Sequence, residues 1–128
     1  MEQCPHKGKT GLQRIWRAFH YSMDGLRAAF RHEDAFRQEV LLALVLVPVA
    51  LVIGVSWMAK ALMIASVFFV MIVELLNSAI EATVDRISLE DHQLAKRAKD
   101  IGSAAVLMSL MNVFVVWALV LFGHFWGA

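Results

Sequence analysis

A single cysteine, Cys4, excludes an intramolecular disulfide framework. Charge is scarce: 18% of the 128 residues are Asp, Glu, Lys or Arg, against about 25% in soluble domains. Twelve basic and eleven acidic side chains leave a formal net charge of +1. That balance lacks the broad basic excess of a nucleic-acid binder, so no nucleic-acid partner is expected. There is no internal repeat and no low-complexity segment. Apolar residues reach 59% and mean hydropathy is +0.62. Such a composition excludes disorder, a coiled coil and an ordinary cytosolic domain, and the length allows one domain. It points to a small all-helical integral membrane protein.

Familiar catalytic signatures are missing too. Gly8-Lys9-Thr10 looks like the end of a phosphate-binding loop, but that loop needs glycine where Gln3 stands, and no strand precedes it. GxGxxG, HExxH, CxxC and GxSxG do not occur. His6, His20, His32, His92 and Cys4 lack metal-ligand spacing. Any nucleotide handled by this chain is bound outside the familiar soluble nucleotide folds. No secretory signal is expected, because the first forty residues are too charged for one and the apolar runs are too long.

Three apolar runs dominate what is present. Val40 to Ala59 is free of charge, and a helix of that length spans ~30 Å, the thickness of a hydrocarbon core. Ala61 to Val73 is uncharged and continues in helical pattern to about Val84. Ala104 to Trp126 carries only His124. These runs predict membrane helices over about 35–57, 61–85 and 100–126, with a cytoplasmic connector at 86–99. Gly54, Ser56, Trp57 and Lys60 mark the turn between the first two, and Pro48 lies where neighbouring helices tolerate it. Seven basic residues precede Val40, four fall between Arg86 and Lys99, and Lys60 stands alone in the first turn. By the positive-inside rule the N-terminus and the 86–99 connector face the cytoplasm and the C-terminus faces the periplasm.

Residues 11–32 form a further helical pattern. Leu12, Ile15, Trp16, Phe19, Met23, Leu26 and Phe30 recur at helical spacing, with Arg14, Arg17, Asp24, Arg27 and Arg31 on other sides. Such a helix lies in the membrane interface or packs on a protein partner; the nearby bilayer favours the interface. Gly25 is a candidate break in its middle.

The second run holds the informative residues. Glu74, Asn77, Glu81 and Asp85 are spaced 3, 4 and 4, which places them on one stripe of a helix. An ionisable residue inside a span costs roughly 2.5–3.5 kcal/mol on insertion scales, so it persists only facing protein, water or a ligand. With the cytoplasmic boundary near Ile80, Glu74 lies ~9 Å inside, Glu81 at the boundary and Asp85 outside. A carboxylate in a partly dry site suits a general base. One beside water stays ionised and serves as a hard oxygen ligand. The same stripe could instead line an ion path in an oligomeric channel or transporter, or form an interhelical hydrogen-bond cluster. Near the same face, Lys96, Arg97 and Lys99 can hold phosphate oxygens, and Glu90, Asp91, His92 and Asp100 can accept from a ribose or base. From charge alone this run also reads as a solvated connector. Glu33 is a third acidic position at that level.

Four segments add a family resemblance: GLRAAF (25–30), AFRQE (35–39), MIVELLNSAIEATVDR (71–86) and RAKDIGSAAV (97–106). They closely resemble signature segments of the bacterial diacylglycerol kinases, and the likeness runs from about Gly11 to His124. It implies a homotrimer in the bacterial inner membrane. Each subunit, residues 1–128, would be one kinase domain with an N-terminal surface helix and three membrane helices. It also implies transfer of the ATP γ-phosphoryl group, with Mg2+, to the hydroxyl of diacylglycerol, giving phosphatidic acid. Under that resemblance Glu74 is the general base and also contacts the lipid. Glu33 and Glu81 hold the magnesium and, through it, the nucleotide. Asn77 is a buried polar residue of the catalytic site. Lys99 lies near the phosphates and Asp100 near the nucleotide. Arg14, Tyr21, Glu90, Asp91 and His92 are further nucleotide contacts, and Arg14 and Ser103 border the lipid. The chain departs from the family pattern in the 88–96 loop and the first ten residues. Similar proteins act on undecaprenol, which leaves a second acceptor open.

Overall fold

A computed structural model describes residues 11–87 and 92–127 of the chain. They form four helices: α1 (Gly11–His32), α2 (Asp34–Val52), α3 (Trp57–Ile87) and α4 (Gln93–Trp126). The last three are each long and apolar enough to cross a membrane. α3 is central and packs against both α2 and α4, while α1 rests against α2.

Local chemistry sets the ends. Between α1 and α2 the chain bends at Glu33, whose backbone is extended. The Arg37 guanidinium there donates to the carbonyls of Phe30 and Arg31 at 3.0 and 2.8 Å and pairs with Asp34. It thus closes orphan carbonyls at the end of α1. Between α2 and α3, Ser56 Oγ accepts from the Ala59 N–H at 3.1 Å, an N-cap bond. Lys60 Nζ donates to the Leu51 carbonyl at 2.7 Å and lies over the Trp57 ring, so the one basic residue of that turn ties α2 to α3.

Two sequence expectations need correction. α1 runs unbroken through Gly25, because one glycine costs only about 1 kcal/mol relative to alanine and the turns on either side carry the helix through it. α4 begins at Gln93, so most of the expected 86–99 connector is helix. His92 Nδ1 accepts from the Leu94 N–H at 3.1 Å and supplies the N-cap, and Lys96 and Asp100 pair one turn apart. Hydropathy locates the membrane boundary but not the start of a helix that projects beyond it. The spans at 34–52 and 57–87 also shift by a few residues from those expected, as helix ends commonly do.

One face of α3 supplies most of the core. Met63, Ser66, Val67, Val70, Glu74 and Asn77 are its buried residues, in the i, i+3, i+4, i+7 pattern of one helix face. Small partners let the helices close on it: Ala50 of α2 and Ser109 of α4 are fully or almost fully buried. Trp117 Nε1 donates to the Met63 carbonyl at 3.2 Å, and Ser66 Oγ shares that acceptor at 2.6 Å. Large apolar side chains such as Leu44, Phe68, Leu76, Met108 and Phe114 are exposed on the single chain, as membrane helices require. Met63 is completely buried. Met63→Ala is expected to destabilise the chain by about 2–5 kcal/mol, read from denaturant titration in detergent micelles; an unchanged transition would contradict this core.

Candidate active site

The buried face of α3 changes chemistry along its length. Toward Trp57 it presents Met63, Val67 and Val70; beyond them it presents Glu74 and Asn77, then the half-buried Glu81. Glu74 is only 5% exposed and Asn77 only 7%. The fold thus offsets the cost of a carboxylate at membrane depth by turning it inward between helices. Glu74 and Glu81 are separated by two helical turns, ~10 Å along the axis.

The polar groups here are incompletely satisfied. Asn77 Nδ2 donates to Glu81 Oε1 at 3.3 Å. Among the described residues, buried Asn77 Oδ1, Ser78 Oγ and Glu39 Oε2 have no hydrogen-bond partner. Buried polar atoms are normally paired, so these oxygens on α2 and α3 call for a partner beyond the described residues. Gly102 of α4 stands against the amide: a Cβ on it would lie 2.2 Å from Asn77 Oδ1.

Other acidic groups converge on Glu74. Glu33 is the N-cap of α2, but its carboxylate makes no capping bond and is left to interact elsewhere. Its charge and that of Glu81 bear on Glu74, and Glu74 bears in turn on Glu39. Lys99 Nζ of α4 pairs with Asp85 Oδ1 at 2.5 Å and also feels Glu81. Glu74, Asn77 and Glu81 thus share one face of α3, with Glu33 at the N-cap of α2 and Lys99, paired with Asp85 one turn past Glu81, as the outlying members of the cluster. Asp100 is paired with Lys96 at 2.6 Å. Arg14 and Tyr21 are exposed on α1 and Ser103 is exposed on α4. His92 is the cap of α4, and Glu90 and Asp91 lie outside the described residues. A groove of about 730 Å³ runs between α1 and α3, lined by Gly25, Ala29, Leu75 and Ala82 with Glu33 and Ser78 at its polar side.

Among the described residues, no three His, Cys, Asp or Glu side chains form a ready metal cage. Magnesium typically needs less, taking one or two carboxylates together with waters and phosphate oxygens. Glu33 and Glu81 are donors of that hardness.

The pattern of the prokaryotic diacylglycerol kinases matches residues 20–121, a stretch containing every member of the cluster. A diacylglycerol kinase of Pseudomonas aeruginosa is 58% identical over 96% of this chain and 100% of its own length. The chain belongs to the prokaryotic diacylglycerol kinase family. Other members of that family are similar: a diacylglycerol kinase of Escherichia coli (strain K12) is 51% identical over 91% of this chain and 95% of its own. One from Helicobacter pylori is 42% identical over 90% and 89%. Membership in the diacylglycerol kinase family makes the chain an enzyme, a kinase with helices able to span a membrane.

Sequence reasoning passed over Glu39, one residue before the uncharged run, where it reads as a helix-end surface charge. Its only signal is its place in AFRQE beside the span. The exposure of the Lys99–Asp85 pair sets its worth: such pairs contribute about 0.2–1 kcal/mol. Asp85→Asn should therefore lower stability by less than about 1 kcal/mol in a detergent unfolding titration; a markedly larger loss would show that Lys99 is locked to α3.

Proposed function

We propose that this chain transfers the γ-phosphoryl group of ATP, with magnesium, to the free hydroxyl of diacylglycerol, giving phosphatidic acid and ADP. The observation that carries the reading is the inward-facing Glu74, continued along one helix face by Asn77 and Glu81 toward the end where Lys99 sits. A lipid alcohol and a water-soluble phosphate donor meet only at the membrane surface. A polar stripe that starts inside a span and emerges from it suits that meeting.

Glu74 accepts the proton of the lipid hydroxyl. The oxygen forms its bond to the γ-phosphorus as the bond between that phosphorus and the β,γ-bridging oxygen breaks, and the electron pair departs on ADP. Phosphoryl transfer needs positioning and charge neutralisation more than covalent help from the protein. Held by Glu33 and Glu81, magnesium would supply that neutralisation on the phosphate oxygens. Lys99 exchanges Asp85 for phosphate oxygens at little cost, since the exposed pair is weak. Asn77 orients Glu81 through its amide. Asp100, His92, Glu90, Asp91, Arg14 and Tyr21 serve the nucleotide side, and Arg14 and Ser103 border the lipid.

Exposed Leu12, Ile15, Trp16, Phe19, Leu26 and Phe30 of α1 lie down in the membrane interface, and its arginines face the phosphates of the headgroups. The N-terminus and the start of α4 face the cytoplasm of a bacterial inner membrane, as the basic residues direct, and the C-terminus faces the periplasm. Three copies, each a single kinase domain, associate through the exposed apolar faces of their spanning helices.

Glu74→Gln is expected to abolish phosphatidic acid formation in mixed micelles while the protein still assembles; full turnover in that variant would remove the base. Glu33→Gln and Glu81→Gln should each shift the magnesium titration of the rate to higher concentration, and wild-type titrations in both would refute the ligand assignment. Parallel assays with diacylglycerol and undecaprenol identify the acceptor: the proposal requires the faster rate with diacylglycerol.

A further inference from the structure

We infer that Gly102 is a positioning residue for Asn77: its bare backbone lets α4 close on α3 and keeps the Asn77 amide turned toward Glu81. The inference rests on the reading that Asn77 and Glu81 serve the phosphoryl-transfer site. Gly102 is buried, and a Cβ built on it would fall 2.2 Å from Asn77 Oδ1 and 3.3 Å from Cγ. Other helical glycines do not share this: Gly25 of α1 and Gly123, also of α4, have nothing within 4 Å of the same position. A glycine in the interior of a long helix is unfavourable compared with alanine, and at Gly123 no contact compensates for it. At Gly102 the compensation is the approach of the amide.

That approach fixes an orientation. Asn77 Oδ1 lies against the α4 backbone with no hydrogen-bond donor, while Nδ2 points to Glu81 Oε1 at 3.3 Å. The Nδ2 bond to Glu81 orients the amide, and the space that Gly102 leaves open on the other side is what admits Oδ1. A methyl group there would move either the amide or the helix by roughly 1 Å, and a displacement of that size near reacting groups can cost about 10²-fold in rate. Gly102 touches no reacting atom in this account; it acts through Asn77.

The test is a double-mutant cycle on the full chain in detergent micelles, with two readouts: the rate of phosphatidic acid formation and the midpoint of thermal unfolding. Gly102→Ala should lose about 10²-fold in rate and lower the midpoint by a few degrees, against the direction that helix propensity alone dictates. Combined with Asn77→Ala, it should cost nothing further in either readout, because the clashing side chain is gone. Gly123→Ala should retain the wild-type rate. If Gly102→Ala does not accumulate while the double variant does, the clash is established directly. The inference is overturned if Gly102→Ala keeps the wild-type rate, if its penalties persist in full beside Asn77→Ala, or if the double variant also fails to fold. Wild-type activity in Asn77→Ala would sink the site assignment itself; an impaired Asn77→Ala beside an active Gly102→Ala would sink only the role of Gly102.

Discussion

Acidic and amide side chains on a helix that crosses hydrocarbon must face away from it, and the fold of this chain is arranged around that requirement. α3 carries Glu74 and Asn77 on the same face as Met63, Val67 and Val70, so one orientation of the helix buries the core and hides the polar groups together. α2 and α4 close over that face with alanine, serine and glycine at the tightest points. The result is an unusual core for so small a chain: apolar at one end and polar, with unpaired oxygens, at the other. Unpaired buried oxygens weaken a fold that only has to be stable. They are intelligible where a ligand or a neighbouring subunit completes them.

Much of this was legible in the sequence, for physical reasons that can be named. The charge-free stretch Val40–Ala59 signals a membrane-crossing helix, although α2 ends at Val52 and the stretch also holds the turn and the start of α3. The spacing of Glu74, Asn77 and Glu81 fixes a common helix face without any coordinates. Other features were hidden. The start of α4 depends on a single cap, His92 to Leu94, and a hydropathy profile does not register a hydrogen bond. Gly25 looked like a break because propensity is local, whereas the surrounding turns carry the helix through it. Glu39 was invisible because only the tertiary fold shows that one of its oxygens is buried without a partner among the described residues and that Glu74 bears on it. The contact between Gly102 and Asn77 joins residues from different helices, and no periodicity encodes it.

The proposed chemistry divides labour by depth. The same side chain, glutamate, serves as base where α3 is covered by its neighbours and as metal ligand where the helix emerges. Lys99 stands on the part of α4 that projects past the span, held by a weak exposed pair that a phosphate can replace. Family membership identifies the class of enzyme; burial and spacing explain why these residues suit it.

The central claim is that the covered Glu74 carboxylate is the group the lipid alcohol needs. Covalent capping by an apolar carbodiimide, mapped by peptide mass spectrometry, tests it directly. The account predicts that phosphatidic acid formation falls in step with the fraction of chains modified at Glu74, and that diacylglycerol slows the modification. Full activity in a sample whose Glu74 is completely modified would contradict it.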